Sequence, residues 1–142
     1  MSRSNARGLH FLESPLVRSI GMHTLSITCT EIFARLGSAQ LSARDANAAA
    51  LLARTFLLPD DWISTAQDEG RAWLIALHVN EQLASAAFVD WLTVSVTRVR
   101  PRLRLLFLAT SASRRNMGMA SILLAYLRDS TRAALGPQVL QS

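Results

Sequence analysis

Lysine is missing altogether, so all fifteen basic side chains are arginine, set against ten carboxylates for a formal charge of +5. Without lysine, catalysis through a protein Schiff base is excluded. Cysteine is nearly absent as well. Cys29 stands alone, which rules out an intrachain disulfide and a thiolate metal cluster and fits a reducing compartment. Its expected role is a small buried hydrophobe, although His23 lies close enough in sequence to suggest a base for a thiol. The histidines His10, His23 and His78 share no ligand spacing with one another or with a carboxylate pair, so no metal is expected. Long apolar runs are lacking too. The N-terminal apolar residues are broken by Glu13, Pro15 and Arg18, which leaves neither a signal-peptide core nor the ~20 residues of a membrane span. A cytoplasmic protein with no membrane partner is expected. An organellar transit peptide is the alternative, because the first dozen residues carry Arg3 and Arg7 and no acid.

What remains is globular. Half of the 142 residues are hydrophobic and 18% are charged, a composition that buries one core within one domain. Residues 1–22 read as a flexible leader and 23–142 as a single domain. An all-arginine basic surface suits carboxylate or phosphate, which a guanidinium grips with two parallel hydrogen bonds.

Along the domain the hydrophobic period changes class several times. His23, Leu25, Ile27 and Cys29 alternate with Thr24, Ser26, Thr28 and Thr30, which predicts a half-buried strand. Helical spacing of Ile32, Phe33 and Leu36 follows, and Gly37 stops it. A second helix runs from Ser42, with Asp45 completing a capping-box-like start, to Pro59; Ala49, Leu52, Ala53 and Phe56 form its expected buried stripe. A short helix is expected over 61–69. Residues 72–79 and 83–96 are apolar runs parted by Asn80, Glu81 and Gln82, the pattern of a hairpin. Arg98, Arg100, Arg102 and Arg104 then form a positive stripe if extended, with Pro101 arguing for a turn. Residues 103–109 read as a central strand covered on both faces, and Thr110 to Met117 as a polar loop. Met119, Ile122, Leu123, Tyr126 and Leu127 recur at helical spacing until Gly136 and Pro137, after which residues 138–142 suffice for one short strand. Trp73, Trp91, Phe107 and Tyr126 all read as core.

The loop before the last helix carries the chemistry. A loop that opens a helix with free N–H groups and small residues is a device for holding phosphate. Here it reads Arg114-Arg115-Asn116-Met117-Gly118-Met119-Ala120, and Arg115-x-x-Gly118-x-Ala120 resembles the Gln/Arg-x-x-Gly-x-Gly/Ala signature of the GCN5-related N-acetyltransferase (GNAT) superfamily. The element order over residues 23–136 resembles that family as well. The fold this implies is α/β (α+β), a mixed, mainly antiparallel sheet flanked by helices, with much of the family's C-terminal half lacking.

The resemblance implies that residues 23–142 form an acyl-CoA-binding domain with acetyl-CoA as cosubstrate. Its pyrophosphate would lie on the backbone of Arg115, Asn116, Met117, Gly118, Met119 and Ala120, and the backbone of Leu108, Ala109 and Thr110 would polarise the thioester carbonyl. Glu81 and Asp90 lie on the hairpin from which family members recruit a carboxylate, and each is a candidate catalytic base acting through water. Their plainer readings are a turn residue for Glu81 and an outward-facing strand residue for Asp90. The expected activity is transfer of an acetyl group to an amine acceptor. The alternatives are a catalytically incomplete GNAT-fold binding protein that forms a homo-oligomer, for instance a dimer, through its open sheet edge, and an Arg-rich nucleic-acid-binding module. The last is disfavoured because no aromatics are interleaved with the arginines.

Overall fold

The computed structural model describes residues 16–32, 41–63, 72–92, 102–135 and 140–141. Strands β1 (Leu16–Ile20), β2 (His23–Ile32), β3 (Ala72–Val79), β4 (Gln82–Leu92), β5 (Arg102–Thr110) and β6 (Leu140–Gln141) form one sheet in that order. Every neighbouring pair is antiparallel except β5 and β6, which are parallel. Helix α1 (Ala43–Phe56) follows β2, and helix α2 (Met119–Leu135) joins β5 to β6.

Two tight turns build the first four strands. Gly21 and Met22 join β1 to β2, with Gly21 at φ +61, the arrangement a two-residue turn accepts when glycine comes first. Asn80 and Glu81 join β3 to β4 with φ of 49 and 68, a primed turn whose twist matches its strands. The Asn80 N–H donates to the Thr24 carbonyl at 2.9 Å, and its side-chain Oδ1 accepts from the Thr24 N–H at 2.9 Å, so this turn also pins the start of β2. The leader expected over 1–22 therefore extends too far: 16–20 is a strand and 21–22 its turn.

Alternation across β3 divides the core in two. Trp73, Ile75, Leu77 and Val79 join Ile27, Cys29, Ala87 and Val89 beneath Leu123 and Leu127 of α2. On the other face Ala72, Leu74 and Ala76 join Ile32, Ala86 and Phe88 beneath Ala48, Ala49, Leu51 and Leu52 of α1, with Trp62 and Ile63 beside them. A strand covered twice has no polar face, which explains the unbroken run AWLIALHV. Each fully buried Leu, Ile or Phe contributes roughly 1.5–3 kcal/mol, so this strand is the mechanical centre of the domain.

Helix α1 begins where its sequence says, with the Ser42 Oγ accepting from the Asp45 N–H at 3.2 Å. Its buried stripe starts one turn earlier than expected and ends one turn sooner. Asp45 is buried, its carboxylate accepting from the Thr30 hydroxyl at 3.3 Å, while Ala53 is half-buried and Phe56 exposed. Phe56 still touches Phe107 at the rim, with ring centroids 5.2 Å apart. Strand β5 also departs from expectation. It is half-buried over Arg104–Leu108 rather than covered on both faces, because β6 pairs with it at only two residues among those described.

Ile32, expected to open a helix, instead ends β2; the rest of that helix, most of that over 61–69, the strand beyond Leu92, Arg98, Arg100, Pro101, Gly136 and Pro137 lie outside the described residues. Among the described residues no helix is long and apolar enough to cross a membrane.

Candidate functional site

Strand β5 ends in a loop whose backbone is bent twice into the left-handed region. Ser111 donates its N–H to the Ala84 carbonyl at 2.8 Å and starts one 3-10 turn, Ala112–Arg114, closed by the Arg114 N–H on the Ser111 carbonyl at 2.9 Å. Asn116 then adopts φ 65 and Gly118 φ 78. Asparagine tolerates that conformation and glycine is built for it. A Cβ placed on Gly118 would meet nothing within 4 Å, so glycine leaves open space in front of the loop. The Gly118 carbonyl accepts the first helical bond from the Ile122 N–H at 3.1 Å, which leaves the N–H groups of Met119, Ala120 and Ser121 without intrahelical partners. Residues 115–118 are exposed, so these donors and the helix dipole meet solvent where an anion could dock.

The strand leading into this loop offers a second set of backbone groups. In an antiparallel ladder the N–H and C=O of one residue point to the same side, and successive residues alternate. Ser111 donates to β4, and the Ala109 carbonyl accepts from the buried Ser85 Oγ of β4 at 2.7 Å. Leu108 and Thr110 therefore present their backbone to the outer edge, where the Thr110 carbonyl accepts from Arg115 Nε at 3.4 Å. Among the described residues β6 pairs with β5 only at Leu103 and Arg104, so the edge from Leu105 to Thr110 has no strand beside it. Of the three residues expected to polarise a carbonyl, two face the open edge; Ala109 faces inward.

The two candidate carboxylates are far apart. Glu81 sits in the exposed β3–β4 turn and Asp90 near the other end of β4. Counted along the ladder from Ala87, which pairs with Leu108, Asp90 is roughly 10 Å away and Glu81 roughly 20 Å. Asp90 does not face outward as expected. It is 0% exposed and holds Arg104 through both oxygens, from Nε at 3.1 Å and Nη2 at 2.7 Å. The ladder explains the reversal: Arg104 lies directly opposite Asp90 on β5, so a carboxylate on a covered face meets its counter-ion there. Arg104 of the expected arginine stripe is accordingly committed to an internal ion pair.

Two features near the same end of the sheet went unpredicted. One is an apolar cleft of about 280 Å³ between α2 and the ends of β2 and β3, lined by Leu25, Val79, Met117, Met119 and Ile122 with His23 and Arg114. The only sequence signal for it was the continuation of the β2 alternation to His23, which lines the cleft with the first turn of α2. The other is His78, 4% exposed, whose Nδ1 is buried with no hydrogen-bond partner. Burial pushes its pKa below the usual value, the Arg44 cation pushes the same way, and Asp45 and Glu81 oppose. Because the folded protein binds this proton less readily than the unfolded chain, stability is retained above about pH 6.5 and falls as pH drops below it. Thermal melts between pH 7.5 and 5 should therefore slope less steeply for His78→Leu than for the parent; equal slopes would show that His78 carries no such penalty.

No protein-family model and no curated protein sequence matches the chain. Solved structures do. An aminoglycoside acetyltransferase from an uncultured soil metagenomic sample superposes with a TM-score of 0.54 at 15% identity, over 81% of this chain and 77% of that one. The chain has the GNAT acetyltransferase fold. A second GNAT-fold neighbour, the aminoglycoside N-acetyltransferase AAC(6')-Iy in complex with CoA, gives 0.52 at 15% identity over 82% and 75% of the two chains. A GNAT family acetyltransferase of Staphylococcus aureus gives 0.50 at 14% over 80% and 86%. The expected mixed, mainly antiparallel sheet flanked by helices is the architecture observed, with Tyr126 half-buried against the α2-side core of the GNAT fold.

Proposed function

We propose that this GNAT-fold chain binds acetyl-CoA and transfers its acetyl group to an amine. The observation that carries this reading is the open left-handed Gly118 at the start of α2, next to an edge of β5 with backbone groups turned outward. The backbone from Arg115 to Ala120, and Ser121 beyond it, holds the pyrophosphate; the N–H groups of Leu108 and Thr110 face the thioester carbonyl. Donors aimed at the developing oxyanion contribute about 3 kcal/mol each to the transition state. The amine nitrogen attacks the carbonyl carbon, a C–N bond forms, the C–S bond breaks, and the thiolate leaves with the electron pair. The amine proton passes to water. Neither Glu81, in the exposed turn, nor Asp90, locked to Arg104 one strand inward, lies on the outer edge of β5, so this reading uses orientation and amide dipoles in place of a side-chain base.

The test is release of free thiol from acetyl-CoA in the presence of a panel of primary amines that includes an aminoglycoside, a polyamine and a peptide N-terminus. Amine-dependent release above the buffer rate is expected. CoA binding without release for any amine would remove the transferase half of the reading.

A further inference from the structure

The cleft on the sheet side of α2 is lined by no residue of β5; it adjoins the proposed pyrophosphate loop through Met117 and Met119, but its apolar wall has no part in the acetyl transfer described. Its wall is made of Leu25, Val79, Met117, Met119 and Ile122, and about 280 Å³ is roughly nine times the volume of one liquid water molecule. A bound water needs two to four polar partners, and those of this cleft are confined to Arg114 and His23, so the rest of the space suits an apolar body rather than ordered solvent. Two methionines line it, Met117 being 58% exposed, and their unbranched, polarisable side chains adapt to an alkyl chain.

The polar groups present are of one kind. Arg114 is half-buried at the lining and has no carboxylate partner among the described residues. His23 accepts at Nδ1 from the Asn80 side-chain amide at 3.1 Å, which assigns its N–H to Nε2 and makes the ring a donor as well. Met119 opens α2, so the positive end of the helix dipole lies at the same place. A cation, a ring N–H and a helix start around an apolar hollow complement one ligand chemistry.

We propose that this cleft binds a medium-chain aliphatic carboxylate, its chain against Leu25, Val79 and Ile122 and its carboxylate at Arg114 and His23. The site is distinct from the outer edge of β5 but adjoins the loop proposed to hold the pyrophosphate, so bound CoA weakens binding of the carboxylate without displacing it. It shares Arg114, Met117 and Met119 with the loop that presents Gly118, so an occupant holds that loop in one shape.

The experiment is calorimetric titration of the full chain with decanoate, butyrate and decanol, repeated with CoA present. One decanoate per chain is expected, at least tenfold tighter than butyrate, which cannot fill the cleft, or decanol, which carries no charge. Arg114→Gln should weaken decanoate tenfold and leave decanol unchanged, and Ile122→Trp should block both. Arg114 is partly solvent-exposed and has no carboxylate partner among the described residues, so the first variant keeps the test decisive if the second does not fold. Saturation with decanoate in the presence of CoA supports the proposal. Overturning results are no decanoate binding, equal affinity for decanoate and decanol, unaltered binding by Arg114→Gln, or stoichiometric displacement of decanoate by CoA. Failure of CoA to bind at all bears on the acetyl-transfer reading alone.

Discussion

Gly118→Asp should fold and lose most of its affinity for CoA. The space in front of Gly118 is open, so the new side chain meets no clash; it does carry backbone strain at φ +78, which aspartate, one of the few residues enriched in the left-handed region, bears better than most. What it adds is a carboxylate at the start of α2, where the proposed pyrophosphate would sit. Two like charges about 5 Å apart at the protein surface repel by roughly 3 kcal/mol at an effective dielectric of 20, reduced to about 2 kcal/mol by salt at this exposed loop. That is about thirtyfold in affinity. At a CoA concentration a hundred times the parent's dissociation constant, the parent gains about 2.7 kcal/mol, a rise of ~9 °C in Tm for a domain of this size. The variant gains about 0.9 kcal/mol, a rise of ~3 °C, at the same concentration. Gly118→Asn, matched in shape without the charge, should fall between them. An equal rise for all three proteins would place CoA elsewhere.

The largest effect on stability should come from Arg104→Ala. Asp90 is fully buried in β4, and Arg104 satisfies both of its oxygens while remaining 32% exposed itself. Removing the guanidinium leaves a carboxylate without its counter-ion in the interior. Stranding one partner of a buried pair costs about 3–5 kcal/mol, and the partial exposure of Arg104 places this case near ~3 kcal/mol. Charge, not packing alone, sets the cost. Replacing both residues by apolar ones of similar size, Asp90→Leu with Arg104→Met, should recover most of the loss, since an apolar pair leaves no unpaired charge. Denaturant midpoints for the two singles and the double give the coupling; a double as unstable as the sum of the singles would show that the ion pair is not the cause.

The elements that could be seen in advance are those in which one local rule suffices. Ser42 with Asp45 marks the start of α1, the three-and-four spacing from Met119 to Leu127 marks α2, and two apolar runs around Asn80 mark the β3–β4 hairpin. Strand β1 was hidden because five residues that include Arg18 and Ser19 carry no clean alternation, and an edge strand needs none. Asp90 was misjudged for a different reason: its surroundings come from Arg104, fourteen residues later on the next strand. The same limit applies to the site. Gly118 announces a left-handed turn before a helix, whereas the outward backbone of Leu108 and Thr110 follows from which side β4 occupies, and the cleft from where His23 and Val79 meet α2.

The most direct measurement is an amide-resolved NMR titration of the full chain with CoA. The proposed site predicts the largest shifts at the N–H groups of Leu108, Thr110, Gly118, Met119, Ala120 and Ser121, with Ala109, turned toward β4, moving less. Saturable binding whose largest shifts fall on β1 and β2, or no shifts at all, would contradict it.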